Sequence, residues 1–437
     1  MTEAPVGGPG QFVTRGQPVA VDAVRAMVAH GVPHAILLVG PASAGKTTLA
    51  YDLAAALLCL APDPAARPCR ACRGCRLVAA GNHPDLHRLA PEGAGRQIAI
   101  GDARHPDPGT VRHLVGELAL LPVEGGARVA VVEEAVRMNE DAQNALLKTL
   151  EEPPEGVAIL LCADDEDRLL PTVRSRCARI RLGSVGVRDI EELLAEQSLA
   201  DPPTAARLAR ISGGRPGLAV ALARAPEAVA ARQEIGRSLL DALAASRARR
   251  LSLVRELAAR AAELVAALSA PGPSAAEGVA PGGRRRSSGR GQRGTSKVDA
   301  AVSEAPVARG EPGFADPGAA DSDGPGPGDR SDETTIEASA GSRAAASDRR
   351  RAALALLDVW RDVARDLTLV ASGSRAGLRD PGLLDDLDVV ARDVDARSVA
   401  AHLARIERAG LLLEGNANPE LVLDVLVLAW PHAGESR

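Results

Sequence analysis

At 437 residues the chain is too long for one ordinary domain, and roughly two to four are expected. A net charge of −5 with 46% hydrophobic residues describes a globular composition and argues against autonomous, tight binding to a nucleic-acid backbone, leaving only a partner-assisted role at DNA. Aromatic residues are only 1%, so Ala, Leu and Val must fill the core and few rings remain to stack on bases. Residues 1–15 are rich in Gly and Pro and lack the apolar segment of a signal peptide. No apolar run of about eighteen residues exists to cross a bilayer. A cytoplasmic protein without a membrane partner is expected, its 6 cysteines reduced unless a metal holds them.

In chain order, residues 35–39 (Ala-Ile-Leu-Leu-Val) have the pattern of a short buried strand, and Gly40-Pro41-Ala42-Ser43-Ala44-Gly45-Lys46-Thr47 follows without a gap. Residues 46–60 then read as an Ala/Leu-rich helix. Strand, glycine-bounded loop and helix are the context of a phosphate-binding loop; a plain glycine turn is the bland alternative. The glycines let successive N–H groups wrap an anion in front of the helix N-terminus. Lys46 would reach the β- and γ-phosphates, and the Thr47 hydroxyl would serve Mg²⁺.

Cys59, Cys69, Cys72 and Cys75 come next, the last three as Cys-x2-Cys-x2-Cys. Four thiolates in a short excursion suit a tetrahedral structural zinc site. Arg67, Arg70, Arg73 and Arg76 would favour the thiolates and offset their charge. An iron–sulfur cluster or free thiols are the alternatives; the Cys-Pro continuation of the bacterial ferredoxin run is missing, since Arg76-Leu77-Val78-Ala79 follows. Cys162 and Cys177 read as small buried hydrophobes.

Residues 128–132 form a second buried strand ending in Glu133-Glu134. Acidic residues at such a tip hold the Mg²⁺ water shell or polarise an attacking water, unless they are simply a solvated pair. Residues 139–152 read as a capped helix stopped by Pro153-Pro154. Residues 158–162 are a third strand, and residues 178–181 a short fourth after Ser175-Arg176-Cys177. Strands alternating with helices predict a parallel α/β sheet covered on both faces.

Asn-Ala-Leu-Leu-Lys-Thr-Leu-Glu-Glu-Pro-Pro at 144–154 and Ser175-Arg176-Cys177 resemble the bacterial DNA polymerase III clamp-loader branch of the AAA+ ATPases. The four-cysteine insert and Asn82-His83-Pro84-Asp85 are similar to that branch too. Within it the chain looks more like the delta-prime type than the gamma/tau motor. The motor's Tyr-Arg-Pro-type N-terminal motif is absent, and its Asp-Glu-x-His is replaced by Glu133-Glu134-Ala135-Val136. The resemblance covers residues 12–225 strongly and 395–430 weakly.

It implies ATP or ADP bound at Gly40, Gly45, Lys46, Thr47 and Thr48, with Glu133 at the metal-binding acidic position and Glu134 at the water-activating one. Glu133 departs from the usual Asp, and its extra methylene weakens the case for efficient hydrolysis. Arg176 would be an arginine finger for a neighbouring subunit's site, if it is not an ordinary surface arginine. Arg215, in Gly213-Gly214-Arg215-Pro216-Gly217, matches a nucleotide-sensing position of the lid, though the same residues make a helix-capping turn. The implied partners are gamma/tau and delta subunits, a sliding clamp, and primer-template DNA through the complex. Little ATPase activity is expected of the chain alone. A gamma/tau-like motor and a stand-alone AAA+ ATPase are the competing readings.

The expected domains are an AAA+ unit at 12–182 with its zinc module at 59–75, a three-helix lid at 183–225, and a helical collar at 226–269 and 350–432. Residues 270–349, dominated by Pro, Gly, Ser, Ala and charges, should be a disordered insertion. Its basic half (Arg284-Arg285-Arg286, Arg290, Arg293, Lys297) suits a solvated tether more than a DNA contact.

Overall fold

The structure is a computed structural model that describes residues 10–91, 97–124, 126–269 and 330–432. Its first half alternates helices and strands: α1 (Pro18–His30), β1 (Ala35–Val39), α2 (Lys46–Leu57), α3 (Arg73–Ala79), β2 (Leu86–Leu89), α4 (Val111–Leu118), β3 (Arg128–Val132), α5 (Glu140–Glu151), β4 (Val157–Ala163), α6 (Pro171–Arg174) and β5 (Ala178–Arg181). The five strands form one parallel sheet in the order β2-β3-β4-β1-β5. Strands β1, β3 and β4 are buried along their whole length, as a sheet covered on both faces requires.

The two-residue period sorts their side chains. Leu37, Val39, Val132, Ile159 and Leu161 pack under α4 and α5, whereas Ile36, Leu38, Val131, Leu160 and Cys162 pack under α1 and α2. The register pairs Val39 with both Ala163 and Arg181, so β1, β4 and β5 end side by side with the phosphate loop between them. Helix α5 starts as expected: the Asn139 side chain caps Ala142 N–H at 2.9 Å, with Glu140 and Asp141 in the first turn.

The second half is all helical: α7 (Val187–Glu196), α8 (Pro202–Ile211), α9 (Pro216–Arg224), α10 (Pro226–Asp241), α11 (Arg247–Ser269), α12 (Arg330–Ala371), α13 (Leu384–Val390), α14 (Ala396–Glu414) and α15 (Pro419–Leu428). One apolar cluster runs from Val185 on the lid side to Trp430, so α7–α15 share a continuous core.

Three expectations are corrected. Helix α2 stops at Leu57 rather than residue 60, which places Cys59 just beyond it. Residues 330–349 are helical, forming the start of α12 rather than part of a disordered segment. Propagating a helix fixes one residue per added hydrogen bond, and the run Ala344-Ala345-Ala346 favours it. The rest of that predicted disordered stretch, 270–329 with its basic half, lies outside the described residues. Strand β2 was also unanticipated.

Candidate nucleotide cleft and cysteine site

The phosphate loop owes its shape to two glycines. Gly45 is the N-cap of α2 at φ +102°, a left-handed conformation that a side chain disfavours. A Cβ on Gly40 would stand 2.4 Å from the Leu182 carbonyl oxygen just past β5. The loop rests against the lid, where Gly217 N–H donates to the Ser43 carbonyl at 3.0 Å. Between sheet and lid lies a cleft of about 670 Å³, lined by Thr14 and Arg15, by Ser43, Gly45, Lys46, Thr47 and Thr48, by Glu134, Cys162 and Asp164, and by Leu193, Gln197, Pro216, Gly217, Val220 and Arg224.

Lys46 is almost fully buried there. Its Nζ donates to the carbonyls of Gly40 (2.8 Å) and Pro41 (2.7 Å) and pairs with Asp164 Oδ1 at 2.5 Å. Thr47 lies against the Cys162 thiol, which burial pushes up to about 12, so this cysteine stays neutral.

The two acidic residues after β3 have different surroundings. Glu133 does not line the cleft: it accepts from Tyr51 Oη at 3.0 Å and from Arg88 Nε and Nη2 at 2.9 and 3.1 Å. Burial and this carboxylate push the Tyr51 phenol well above its ordinary range. Glu134 does line the cleft, at φ +48°, with Arg137 Nε 3.3 Å from its Oε2.

Arg215 turns away from the cleft. Its Nε donates to Ser212 O and its Nη1 pairs with Asp358 of α12, both at 3.0 Å, while Pro216 faces the cleft instead. The cations that line the cleft, besides Lys46, are Arg15 and Arg224, which sequence reading passed over. Asp164, which the sequence places at the tip of the third strand without a clear role, is set against Lys46 by the register of β4 on β1.

Arg176 stands outside its own cleft, between α6 and β5, with its side chain 34% exposed. Nη1 donates to the Thr172 carbonyl at 2.9 Å and Nη2 pairs with Glu151 of α5 at 2.5 Å.

Beside α2 the sulfurs of Cys59, Cys69, Cys72 and Cys75 all lie within 4.8 Å of one another, with Cys59 and Cys72 at 3.9 Å. Tetrahedral zinc, with Zn–S near 2.3 Å, needs sulfurs about 3.8 Å apart, so side-chain shifts of about 1 Å or less bring the donor set around such an ion. Main-chain N–H groups aim at the sulfurs: Cys69 N to Cys59 Sγ (3.3 Å), Cys72 N to Cys69 Sγ (3.3 Å) and Cys75 N to Cys72 Sγ (3.4 Å). Burial raises the Cys69 thiol, but N–H donors from Cys72 and Ala71 outweigh it and bring the group down to about 6.

The nearby arginines have other tasks. Arg67 Nε donates to the Ala61 carbonyl at 2.7 Å, Arg73 pairs with Glu124, and Arg70 pairs with Asp52. Asp52, buried on α2, also accepts from Thr14 N–H (2.9 Å) and Thr14 Oγ1 (2.7 Å). The cysteine module is thereby tied to the helix that starts at the phosphate loop. Behind it, Asp85 accepts from the N–H groups of Val123 (2.6 Å) and Glu124 (3.0 Å), which gives Asn82-His83-Pro84-Asp85 a structural task.

Residues 16–185 match the family model described as DNA polymerase III, delta subunit. The delta-prime subunit of Pseudomonas aeruginosa DNA polymerase III is 43% identical over 185 residues, which are 42% of this chain and 53% of that protein. The Escherichia coli delta-prime subunit is 36% identical over 189 residues, 43% of this chain and 54% of that one. The Escherichia coli tau subunit is 34% identical over 181 residues, 40% of this chain and 26% of its own length. A solved gamma-subunit-related protein of Thermotoga maritima, 18% identical over 56% of this chain and 75% of its own, has a TM-score of only 0.28, too low to add weight. The chain spans about half the length of the delta-prime relatives it matches, and residues 16–185, which the family model matches, hold both the phosphate loop and the cysteine module. Over residues 16–185 the chain is thus similar to the delta-prime subunits of DNA polymerase III.

Proposed function

We propose that the chain is a stator-type clamp-loader subunit in the cytoplasm. It takes ATP or ADP with Mg²⁺ at residues 40–48, lends Arg176 to a neighbouring subunit's ATP site, and assists in placing a sliding clamp on primer-template DNA. Its neighbours would be gamma/tau-type and delta-type subunits. The position of Arg176 carries the reading: a partly exposed guanidinium outside its own cleft, held there by the Thr172 carbonyl and Glu151, can be offered to another chain's phosphates. Glu133 supports a weak ATPase, because Tyr51 and Arg88 occupy the carboxylate that a motor would use for its metal. Glu134, which does line the cleft, is what keeps the motor reading in play. In the proposed role Arg215 fastens the lid to α12, and nucleotide sensing from the lid falls to Arg224.

The test is Arg176→Ala in a complex reconstituted with motor and clamp-opening subunits, after co-elution has established assembly. ATP binding by the isolated chain should be unchanged. Clamp- and DNA-stimulated ATPase should fall, by up to about 10³-fold where hydrolysis depends wholly on this finger and by less where other interfaces carry their own. An assembled complex with unaltered ATPase and clamp loading would refute the stator role.

The cysteine site would hold one structural Zn²⁺ that takes no part in chemistry. Metal analysis after gel filtration in mild chelator should find zinc near stoichiometric, and Cys72→Ser should lose it. Because Cys72 Sγ caps the Cys75 N–H at the start of α3, and serine caps helices well, that variant removes the ion while keeping the cap. Iron, or no metal, in the wild type would refute the zinc assignment.

A further inference from the structure

Asp164 follows the last residue of β4, whose Ala163 carbonyl accepts from Gly40 N–H at 3.2 Å, so its carboxylate stands at the mouth of the phosphate loop. The Lys46 ammonium donates to Gly40 O and Pro41 O, and Asp164 Oδ1 stands 2.5 Å from it as its ion-pair partner. Releasing the two carbonyls when a nucleotide binds leaves no net charge unpaired. The carboxylate differs, since it carries a full charge of the same sign as the ligand.

We infer that Asp164 makes this cleft selective for a nucleoside diphosphate over a triphosphate. The inference rests on the nucleotide reading above. Loop N–H groups at the start of α2 cradle the α- and β-phosphates, so a diphosphate keeps most of its contacts whatever Lys46 does. A γ-phosphate lies beyond those groups and depends on Lys46 and the metal ion. Two acceptors on neighbouring N–H bonds of one ammonium stand about 4.4 Å apart, given hydrogen bonds of about 2.7 Å. The γ-phosphate and the Asp164 carboxylate would therefore be two anions in near contact sharing one cation, and such like-charge crowding disfavours the ionised pair. Glu134, which also lines the cleft, adds to the negative potential.

Calorimetric titration of the complete chain with ADP and with ATP, at one fixed Mg²⁺ concentration, tests this on the wild type, Asp164→Asn and Asp164→Ser. The wild type should bind ADP about tenfold tighter than ATP or better, and both variants should shrink that ratio to about threefold or less by tightening ATP. Affinity for ADP should stay within about twofold, since the loop N–H groups are untouched. Equal wild-type affinities, or an unchanged ratio in both variants, would overturn the selectivity while leaving the nucleotide site standing. Variants that weaken ATP would identify Asp164 as a metal ligand and overturn it as well. Failure of either nucleotide to bind would overturn the nucleotide reading and this inference together.

Discussion

The sheet domain and the helical half place their charges differently. In the first, β1 and β4 are wholly apolar, β3 carries a charge only at its first residue, Arg128, and the charged groups near the cleft (Lys46, Glu133, Glu134, Asp164) stand where strands end or helices begin, while the buried Asp52, Asp85 and Arg128 bond around the sheet's margins. In the second, charges lie inside: Arg232 against Asp362, Arg250 among main-chain carbonyls, and Asp366 accepting from the N–H groups of Arg379 and Asp380. A sheet's register is set by its hydrogen-bonded ladder together with the side-chain alternation, so the core can be featureless and the ends can carry chemistry. Helices built mostly from Ala, Leu and Val have no such ladder between them. Buried polar contacts that fit only one alignment supply the missing registry, a use such groups are known to serve.

Arg250 is the place to break this contrast with the largest effect. Its guanidinium donates to Ala242 O (2.8 Å), Leu243 O (3.1 Å), Trp430 O (2.5 Å) and Pro431 O (2.9 Å), joining the chain just past α10 to the chain just past α15. Arg250→Met would leave these buried acceptors without their donor, at a cost of roughly 3–5 kcal/mol. Arg250→Lys keeps the charge but loses the planar fork, and should recover only part of that. Both tryptophans, Trp360 and Trp430, lie in this helical core, so denaturant unfolding followed by tryptophan fluorescence reports it separately from the sheet domain. A methionine variant as stable as the wild type would mean the charge is tolerated rather than used.

The same contrast explains what the sequence could reveal. The phosphate loop was legible because glycine spacing and the change from a two-residue to a helical period coincide at Gly40–Lys46. The cysteine cluster was legible because four thiols so close have few other uses. β2 was not, because Leu86-His87-Arg88-Leu89 lies at the sheet's edge and only Leu89 is buried, which leaves no apolar run to see. Arg215 shows a finer limit. Arg215 is the extended N-cap of α9 and Pro216 its first helical residue, so the dihedral angles of the turn decide which of the two meets the cleft. The motif alone does not carry those angles. Asp164 could be placed at the tip of the third strand, but its pairing with Lys46 was hidden, since that depends on β4 lying next to β1. Nothing in a helical pattern distinguishes the buried Arg250 or His402 from the solvated arginines and histidines around them.

His402 offers a smaller and pH-dependent test. It is completely buried on α14 between the rings of Trp360 (centroids 5.6 Å apart) and Trp430 (4.7 Å), and neither ring nitrogen has a hydrogen-bond partner. Burial, reinforced by the nearby Arg405 and Arg250 charges, lowers its pKa from 6.5 to about 4. The unfolded chain therefore takes up a proton below about pH 6.5 that the folded chain refuses until about pH 4. Where the unfolded state binds more protons, stability rises with pH. The stability tied to neutral His402 is thus fully present above pH 6.5 and is lost as the pH falls towards 4, by about 3 kcal/mol in all. His402→Phe keeps a ring between the two tryptophans and removes the titrating group. Its helical core should match or exceed the wild type at pH 7, where two unpaired ring nitrogens no longer need burying, and should be far less sensitive to acid between pH 6.5 and 4. Tryptophan-monitored unfolding at several pH values separates the two proteins, because carboxylates elsewhere titrate in both and cancel in the difference. If the wild type and His402→Phe lose stability in parallel across that window, the imidazole is accommodated without strain. The helical interior would then owe its polar residues to registry alone, with no penalty hidden among them.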